Sequence, residues 1–553
     1  MVLGSWFLVL AELWFVDVLV RGCLLALVGA VFLLGLCSCG DQIHPDDRYG
    51  GPVAVCEVEL SDEQPGAGEL EPARASSAPD YWKPGPYAAW NTSPGLACPA
   101  DPVIERVGDQ RDVALYMTYP AASRPTHTGR GDVAPGRWPV IVFAHANNDT
   151  LCNIYRRYYS LHDHWASWGF VVASVDGTHT NCEPGSKANI EERVAGQLAA
   201  LDKLAALDAD PDSRFFGRLD LDTVVFAGHS RGGGSSLVAA EQHGRAAAVI
   251  DLQGIDLTSF GFGSETLPDF PVLGMTAGRD VDLNYPLVEP TEDQLGGPYT
   301  WVNINGGIHA YTADTVPIEP DDTPRITRSQ QHDITEYYST AFLARWVGVA
   351  DGRTGGGFEP RPAADAIIHS HGAAETVGAE ISERGVYQRW RSNADTEAEI
   401  VWIDRFDGST PAQNLTGGRN TSSGLLRSEE VATYQPDKPT PHPIYRKAIS
   451  RLLEADDTGH FRLELAGGVE LSAGATLQAR VKGPDDGEVA DFAVVVELAD
   501  GTTERFEGAE HIGPEVLDNR FTQLVVPVEG EVVAVEVELT GGALFVDDLR
   551  VVR

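Results

Sequence analysis

Positive charge is what this chain of 553 residues has least of. Lys and Arg number 41 against 81 Asp and Glu, a formal net charge of −40. So acidic a chain repels phosphates, which excludes nucleic acid as a partner, and the surplus carboxylates read as a solvated surface. Lysine is scarce beside arginine. Cysteine is sparse too: none of the seven stands at metal-ligand spacing, so no metal site is expected. Apolar residues are not lacking. At 43% they supply ample core, and the length exceeds what one core organises, which implies two globular domains with flanking segments.

The N-terminus carries the longest apolar run. "VRGCLLALVGAVFLLGLCSCGDQ" places an arginine before an apolar stretch and small residues, the pattern of a secretory leader over residues 1–39. "LCSC" resembles a bacterial lipobox, with Cys39 as the lipidated residue and Cys37 as the fallback acceptor. The expectation is an exported protein, either an outer-membrane lipoprotein of the cell envelope, held to the membrane through a lipid anchor only, or a secreted one. The further apolar stretch "MVLGSWFLVLAELWFVDVLV" is read as preceding a true start near residue 18, with a membrane helix as the alternative. Past the leader remain Cys56, Cys98, Cys152 and Cys182, an even number in an oxidising compartment. Of the three pairings, Cys152 with Cys182 is preferred, because each follows a strand whose exit loop lies at the same sheet edge. Cys56 would then pair with Cys98.

Residues 40–100 are rich in Pro, Gly, Ala and acids and read as a low-complexity tether and N-terminal wrap. From 101 to 350 short apolar strands alternate with helices: "RWPVIVFAHA", the helix "IYRRYYSLHDHWASWG", "FVVASVD", the helix "ANIEERVAGQLAALDKLAAL", "DTVVFAGHS", and onward to a closing helix "DITEYYSTAFLARWVGV". That alternation predicts an α/β fold, a mostly parallel sheet with helices on both faces. Residues 351–395 read as a connecting segment. From 396 to 553 the helical period gives way to short strands between Gly, Asp and Pro turns, an all-β sandwich. There Asp404, Asp407, Asp547 and Asp548 read as solvated carboxylates rather than Ca²⁺ ligands.

In "DTVVFAGHSRGGGSSLVAA" a serine stands between glycines. With 58 Gly in the chain, G-x-S-x-G alone is weak, but here it runs from strand through tight turn into helix, the setting of a nucleophile elbow. Ser230 would sit at a helix N-terminus, with the Arg231 N–H as one oxyanion donor. A second donor should come from the loop after "VIVFAHA"; Asn147 fits by position, with Ala146 beside it. Serine needs a base, and the base an acid to hold its tautomer. After the strand "PVLGMTAG" comes Asp280, preferred over Asp282, and after the next strand "NINGGIHAYT" presents His309. Both fall at carboxyl ends of strands, where open α/β sheets place their sites. His145 and His229 flank the site and read as structural; His162 and His164 fall on a helix and face solvent or core.

"GHSRGGG", "GGIHAY" and the acid after "MTAG" resemble the α/β-hydrolases related to bacterial cutinases and poly(ethylene terephthalate) hydrolases, and the elbow is also similar to that of chlorophyllases. The resemblance covers roughly residues 101–350. It implies a carboxylic ester hydrolase that works through an acyl-enzyme without metal or cofactor, on a small or polymeric ester. This chain departs from the pattern at Arg231, where such enzymes have methionine, and at Asn147, where they have an aromatic. It also lacks their tryptophan after the strand following the elbow. The same triad would serve a lipase, a platelet-activating-factor-acetylhydrolase-like enzyme or a chlorophyllase-type esterase. "IVWIDRFDG" and "LFVDDLRVVR" resemble the first and last strands of galactose-binding-like jelly rolls, which implies a glycan as the sandwich's ligand. The competing reading from another class is a surface glycan-binding protein on a non-catalytic hydrolase scaffold.

Overall fold

In the structure, a computed structural model, the described residues lie between 81 and 552. Outside them fall 1–80, 82, 92–102, 108–110, 122–131, 149–153, 182–184, 263–269, 281–294, 305, 319–322, 351–359, 362–363, 365–385, 392–399, 407–411, 433–448, 472–474, 485–487, 513–521 and 553. All seven cysteines, and with them the leader, the lipidation site and both disulfide pairings, lie outside the described residues. Among the described residues no helix is long and apolar enough to cross a membrane.

Ten strands form the first sheet: β1 Ala88–Asn91, β2 Val103–Val107, β3 Arg111–Ala121, β4 Trp138–Ala144, β5 Val171–Val175, β6 Leu219–His229, β7 Ala248–Leu252, β8 Val272–Ala277, β9 Tyr299–Ile304 and β10 Val386–Arg391. Their order is β1-β3-β5-β4-β6-β7-β8-β9-β10, with β2 against β3. The central run from β5 to β9 is parallel and the flanks are antiparallel. β4, β5 and β7 are buried at every position, as a sheet covered on both faces demands. One core, containing Phe143, Ile250 and Val302, is roofed by α1 (Tyr159–Ser167) and α4 (Arg328–Trp346). The other, containing Val142, Phe226 and Val249, is roofed by α2 (Lys187–Ala209) and α3 (Arg231–His243).

Three expectations shift. β1 and β10 join this sheet from segments read as tether and connector. The helix expected over "IYRRYYSLHDHWASWG" is broken into a single turn at Ile154–Arg156 and then α1. The break arises because the Arg157 carbonyl accepts a hydrogen bond from the Asp314 N–H at 2.7 Å rather than from the next turn, while the Asp314 carboxylate accepts from the Ser160 N–H at 3.1 Å at the start of α1. Asp404, Asp547 and Asp548 are buried, at 7%, 7% and 1% exposure, not solvated; Asp407 lies outside the described residues. Asp404 accepts hydrogen bonds from the Phe406 N–H and from Asn420 Nδ2, so local donors replace water.

The C-terminal strands form two antiparallel sheets. In one, β21 (Ala543–Val552) pairs with β14 (Ile449–Glu454), β16 (Thr476–Lys482) and β11 (Ile400–Asp404), with β13 (Arg427–Ala432) beyond β14 and β19 (Thr522–Pro527) beyond β16; in the other, β15 (Thr458–Leu471) and β17 (Asp491–Leu498) flank β20 (Gly530–Thr540), with β12 (Asn420–Ser423) beyond β15 and β18 (Thr503–Glu507) beyond β17. Leu453, Ala479 and Val546 of the first and Leu463, Val494 and Val535 of the second share one core, which makes this region a β-sandwich.

Candidate active site

β6 ends in a turn whose backbone is strained at one residue: Ser230 stands at φ 58°, ψ −125°, outside the regions L-residues ordinarily occupy, and α3 begins at the next position. The turn is this sharp because the chain passes under itself without side chains. A Cβ on Gly228 would lie 2.2 Å from the Gly232 carbonyl oxygen, and one on Gly232 would lie 2.1 Å from that of Ala144. The Ser230 N–H donates to the Leu252 carbonyl at 2.9 Å, so the serine is fastened to the end of β7. Its side chain emerges at the N-terminus of a 13-residue helix, where backbone N–H groups favour negative charge.

The expected base and acid meet. His309 Nδ1 lies 2.7 Å from Asp280 Oδ2, with Asp280 fully buried and the imidazole 17% exposed. A carboxylate against Nδ1 fixes that nitrogen as the protonated one. The two loops that carry them are joined as well, through the Arg279 N–H to the Gly307 carbonyl at 2.8 Å. On the other side the His309 ring packs on that of His229, the residue before Ser230, at 4.4 Å between centroids. Asp282, the other candidate acid, lies outside the described residues.

The loop after β4 holds the proposed second donor. Ala146 spends its N–H on the Tyr158 hydroxyl oxygen at 3.1 Å, which leaves the neighbouring Asn147 as the residue to consider there. The Asn147 side chain accepts from Arg231 Nη1 at 3.1 Å, so the two expected oxyanion residues are joined by their side chains. Arg193 on α2 braces the same loop, donating to the His145 carbonyl at 2.7 Å and to Asn181 at 3.1 Å. Burial and the nearby charge of Arg231 bring its pKa down to about 9.

The flanking histidines are structural and neutral. Burial lowers His145 to about 3; its Nε2 accepts from the Gly177 N–H at 3.0 Å and its Nδ1 faces the Ala146 carbonyl at 2.7 Å. His229 is held well below its ordinary value by burial and then by the adjacent His309. His162 and His164 face the core, and burial lowers them to about 3 and about 4.

Asp251 and Gln253 are among the residues of this neighbourhood that escaped the sequence reading. Asp251, at the end of β7, is buried against Gly233 and Gly254, and burial pushes its carboxyl up to about 8. By chain order it also lies between Ser230 and His309, yet the imidazole is bonded to Asp280. Gln253 stands at φ 47° and receives His229 Nε2 at 3.0 Å. A non-glycine residue at positive φ is a mark of a constrained site, but only coordinates reveal it. As for metals, the described residues bring one group together, His460, Glu536 and Glu538 in the sandwich, and there Glu536 bonds His460 at 2.9 Å while Glu538 bonds Arg505 at 2.8 Å.

The sheet order and the elbow define an α/β-hydrolase domain. Residues 159–276, from α1 into β8 and including Ser230, match the family model described as PETase: PET hydrolase-like, and this stretch is similar to that family. The matched residues stop short of Asp280 and His309. No curated protein matches the chain.

Proposed function

We propose that the protein is an exported serine carboxylic ester hydrolase of the cutinase and polyester-hydrolase kind, with Ser230, Asp280 and His309 as its triad and the N–H groups of Arg231 and Asn147 as its oxyanion hole. The observation that carries this reading is the pairing of a strained serine at a helix N-terminus with an imidazole whose Nδ1 is 2.7 Å from a buried carboxylate. Ester hydrolysis asks for that combination. With Nδ1 bonded to Asp280, His309 Nε2 takes the Ser230 proton as Oγ attacks the ester carbonyl. The carbonyl oxygen becomes an oxyanion, stabilised by donors that need not reorganise. Collapse expels the alcohol, protonated by His309, and leaves an acyl-enzyme. Water, deprotonated by the same imidazole, then releases the acid and restores Ser230.

The chemistry uses no cofactor. Arg231 and Asn147, joined to each other at the mouth of the oxyanion hole, stand where related enzymes present an apolar and an aromatic side chain, so the acyl-binding wall is polar on this side. We assign Cys39 as the lipidated residue of the mature chain. The test is direct: the wild-type protein hydrolyses p-nitrophenyl butyrate and is labelled at Ser230 by a fluorophosphonate probe, and Ser230→Ala loses both. Turnover at the wild-type rate in Ser230→Ala would overturn the assignment.

A further inference from the structure

Beneath the triad runs a continuous set of buried side-chain hydrogen bonds whose donors and acceptors can be assigned from one end to the other. Gln253 Oε1 is a carbonyl oxygen and only accepts, so His229 Nε2, 3.0 Å away, carries the ring proton. His229 Nδ1 is then bare and accepts from the Tyr158 hydroxyl at 2.9 Å, and that hydroxyl oxygen in turn accepts from the Ala146 N–H. On the other side of Gln253, the Thr312 hydroxyl donates to the same Oε1 at 2.5 Å. Thr312 is also within 3.4 Å of Gln331 Nε2. Gln331 grips the backbone of Ile308 twice, its Oε1 accepting from the Ile308 N–H and its Nε2 donating to the Ile308 carbonyl, both at 3.0 Å.

The backbone positions this set holds are not scattered. Ala146 precedes Asn147, His229 precedes Ser230, and Ile308 precedes His309. Three residues of the proposed machinery, Asn147, Ser230 and His309, are thus each held through the residue before them, and the three grips are connected. All of these side chains are buried, Tyr158, Gln331 and His229 at 2% exposure or less. In so dry a place each missing partner leaves an unsatisfied polar group, so the set is stable only when complete.

We infer that Tyr158, Gln253, Thr312 and Gln331 are positioning residues that lock the oxyanion loop, the nucleophile elbow and the histidine loop into one geometry, with neutral His229 as the joint between them. This rests on the esterase reading of the site. The brace acts on kcat because displacing reacting groups by about an ångström costs on the order of a hundredfold in rate.

The test uses the full chain and p-nitrophenyl butyrate. Tyr158→Phe and Thr312→Val each remove one hydroxyl and little volume. Each should lower kcat roughly 10- to 100-fold with KM within about threefold. The double variant should fall short of the product of the two single effects, as members of one network do. Thr312→Ser, which keeps the hydroxyl, should recover most of the rate lost in Thr312→Val, and melting curves for each variant identify any that fails to fold. Imidazole ¹⁵N spectra give a second readout: wild-type His229 as the neutral Nε2–H tautomer between pH 5 and 8, and a changed tautomer signal in Tyr158→Phe. Folded single variants with kcat within twofold of wild type, or a His229 ring protonated at Nδ1, overturn the brace. A wild type that neither turns over ester nor takes the fluorophosphonate label defeats the esterase reading instead, and the His229 spectra then judge the brace.

Discussion

The imidazoles of His229 and His309 lie face to tilted face, 4.4 Å between centroids and 36° between planes. Two cations could not share that contact, so in the proposed mechanism His309 becomes imidazolium only while His229 stays neutral. The rings have opposite assignments. His309 bonds a carboxylate, which favours its charged form, and His229 bonds a neutral amide oxygen and a phenol hydroxyl.

Asp280→Asn keeps the size of the acid but offers an N–H in place of an accepting oxygen, and drives His309 toward the wrong tautomer. We expect kcat to fall by roughly 10³–10⁴-fold with KM little changed, read from steady-state kinetics. Asp251→Asn should retain most of the wild-type kcat at pH 7, because burial pushes that carboxyl up to about 8 and the amide takes the place of its protonated form. A large loss in the Asp251 variant and none in the Asp280 variant would reverse the assignment of the acid.

Gly232→Ala forces a Cβ to within 2.1 Å of the Ala144 carbonyl oxygen, so β4 and α3 must separate. The expected cost is about 1–3 kcal/mol of stability, with loss of esterase activity in whatever fraction folds. Thermal melts and active-site titration measure the two effects.

Arg231→Met removes the hydrogen bond from Nη1 to Asn147 and leaves the N–H of residue 231 in place. Losing a charged donor at about 1.5–3 kcal/mol would lower kcat by on the order of 10- to 100-fold if the whole of it fell on the transition state. We expect a drop near the lower end, measured on p-nitrophenyl butyrate, since Arg193 still holds the loop through the His145 carbonyl.

Stability should peak near neutral pH. His145, His162 and His164 have folded pKa values of about 3, 3 and 4, below the ordinary value near 6.5, so the unfolded chain binds more protons in that interval and stability is lost as pH falls from 6.5. Asp251 and Glu336 are raised by burial to about 8 and about 9. For them the folded chain holds the extra proton, and stability present at low pH is lost as pH rises through 8 and 9. Glu336 sits 3.2 Å from His164 Nδ1, and with His164 Nε2 facing the Tyr81 carbonyl, the neutral pair shares the carboxyl proton. Melting temperatures should therefore climb from pH 4 to about 6.5 and decline toward pH 9. In Asp251→Asn combined with Glu336→Gln the alkaline decline should largely vanish.

Much of this was readable in the residues. The runs "VVFAGHS" and "PVLGMTAG" are buried strands that deliver Ser230 and Asp280 to one edge, and the glycines around Ser230 announce a backbone too close to its neighbours for a Cβ. Tyr158, Gln253, Thr312 and Gln331 were not readable, because lone polar residues in loops and helix turns carry no periodicity, and their roles arise only when four distant segments meet. β10 was missed for another reason: "VYQRWR" is an edge strand with two arginines and a glutamine, and its pairing with β9 supplies an order that its own apolar content does not. The broken helix before α1 depended on Asp314, more than 150 residues away.

In the sandwich, Ile400 lies opposite Val552 and Val401 opposite Val551, so the two ends of that stretch are neighbouring strands of one sheet. A module whose first and last residues touch is topologically a closed ring cut at one place. The cut can be moved: joining residues 552 and 400 by a short linker and opening the ring at the Asp500–Gly501 hairpin would preserve every strand partner. The same closeness would let it be transplanted into a surface loop of another protein without prising that loop apart.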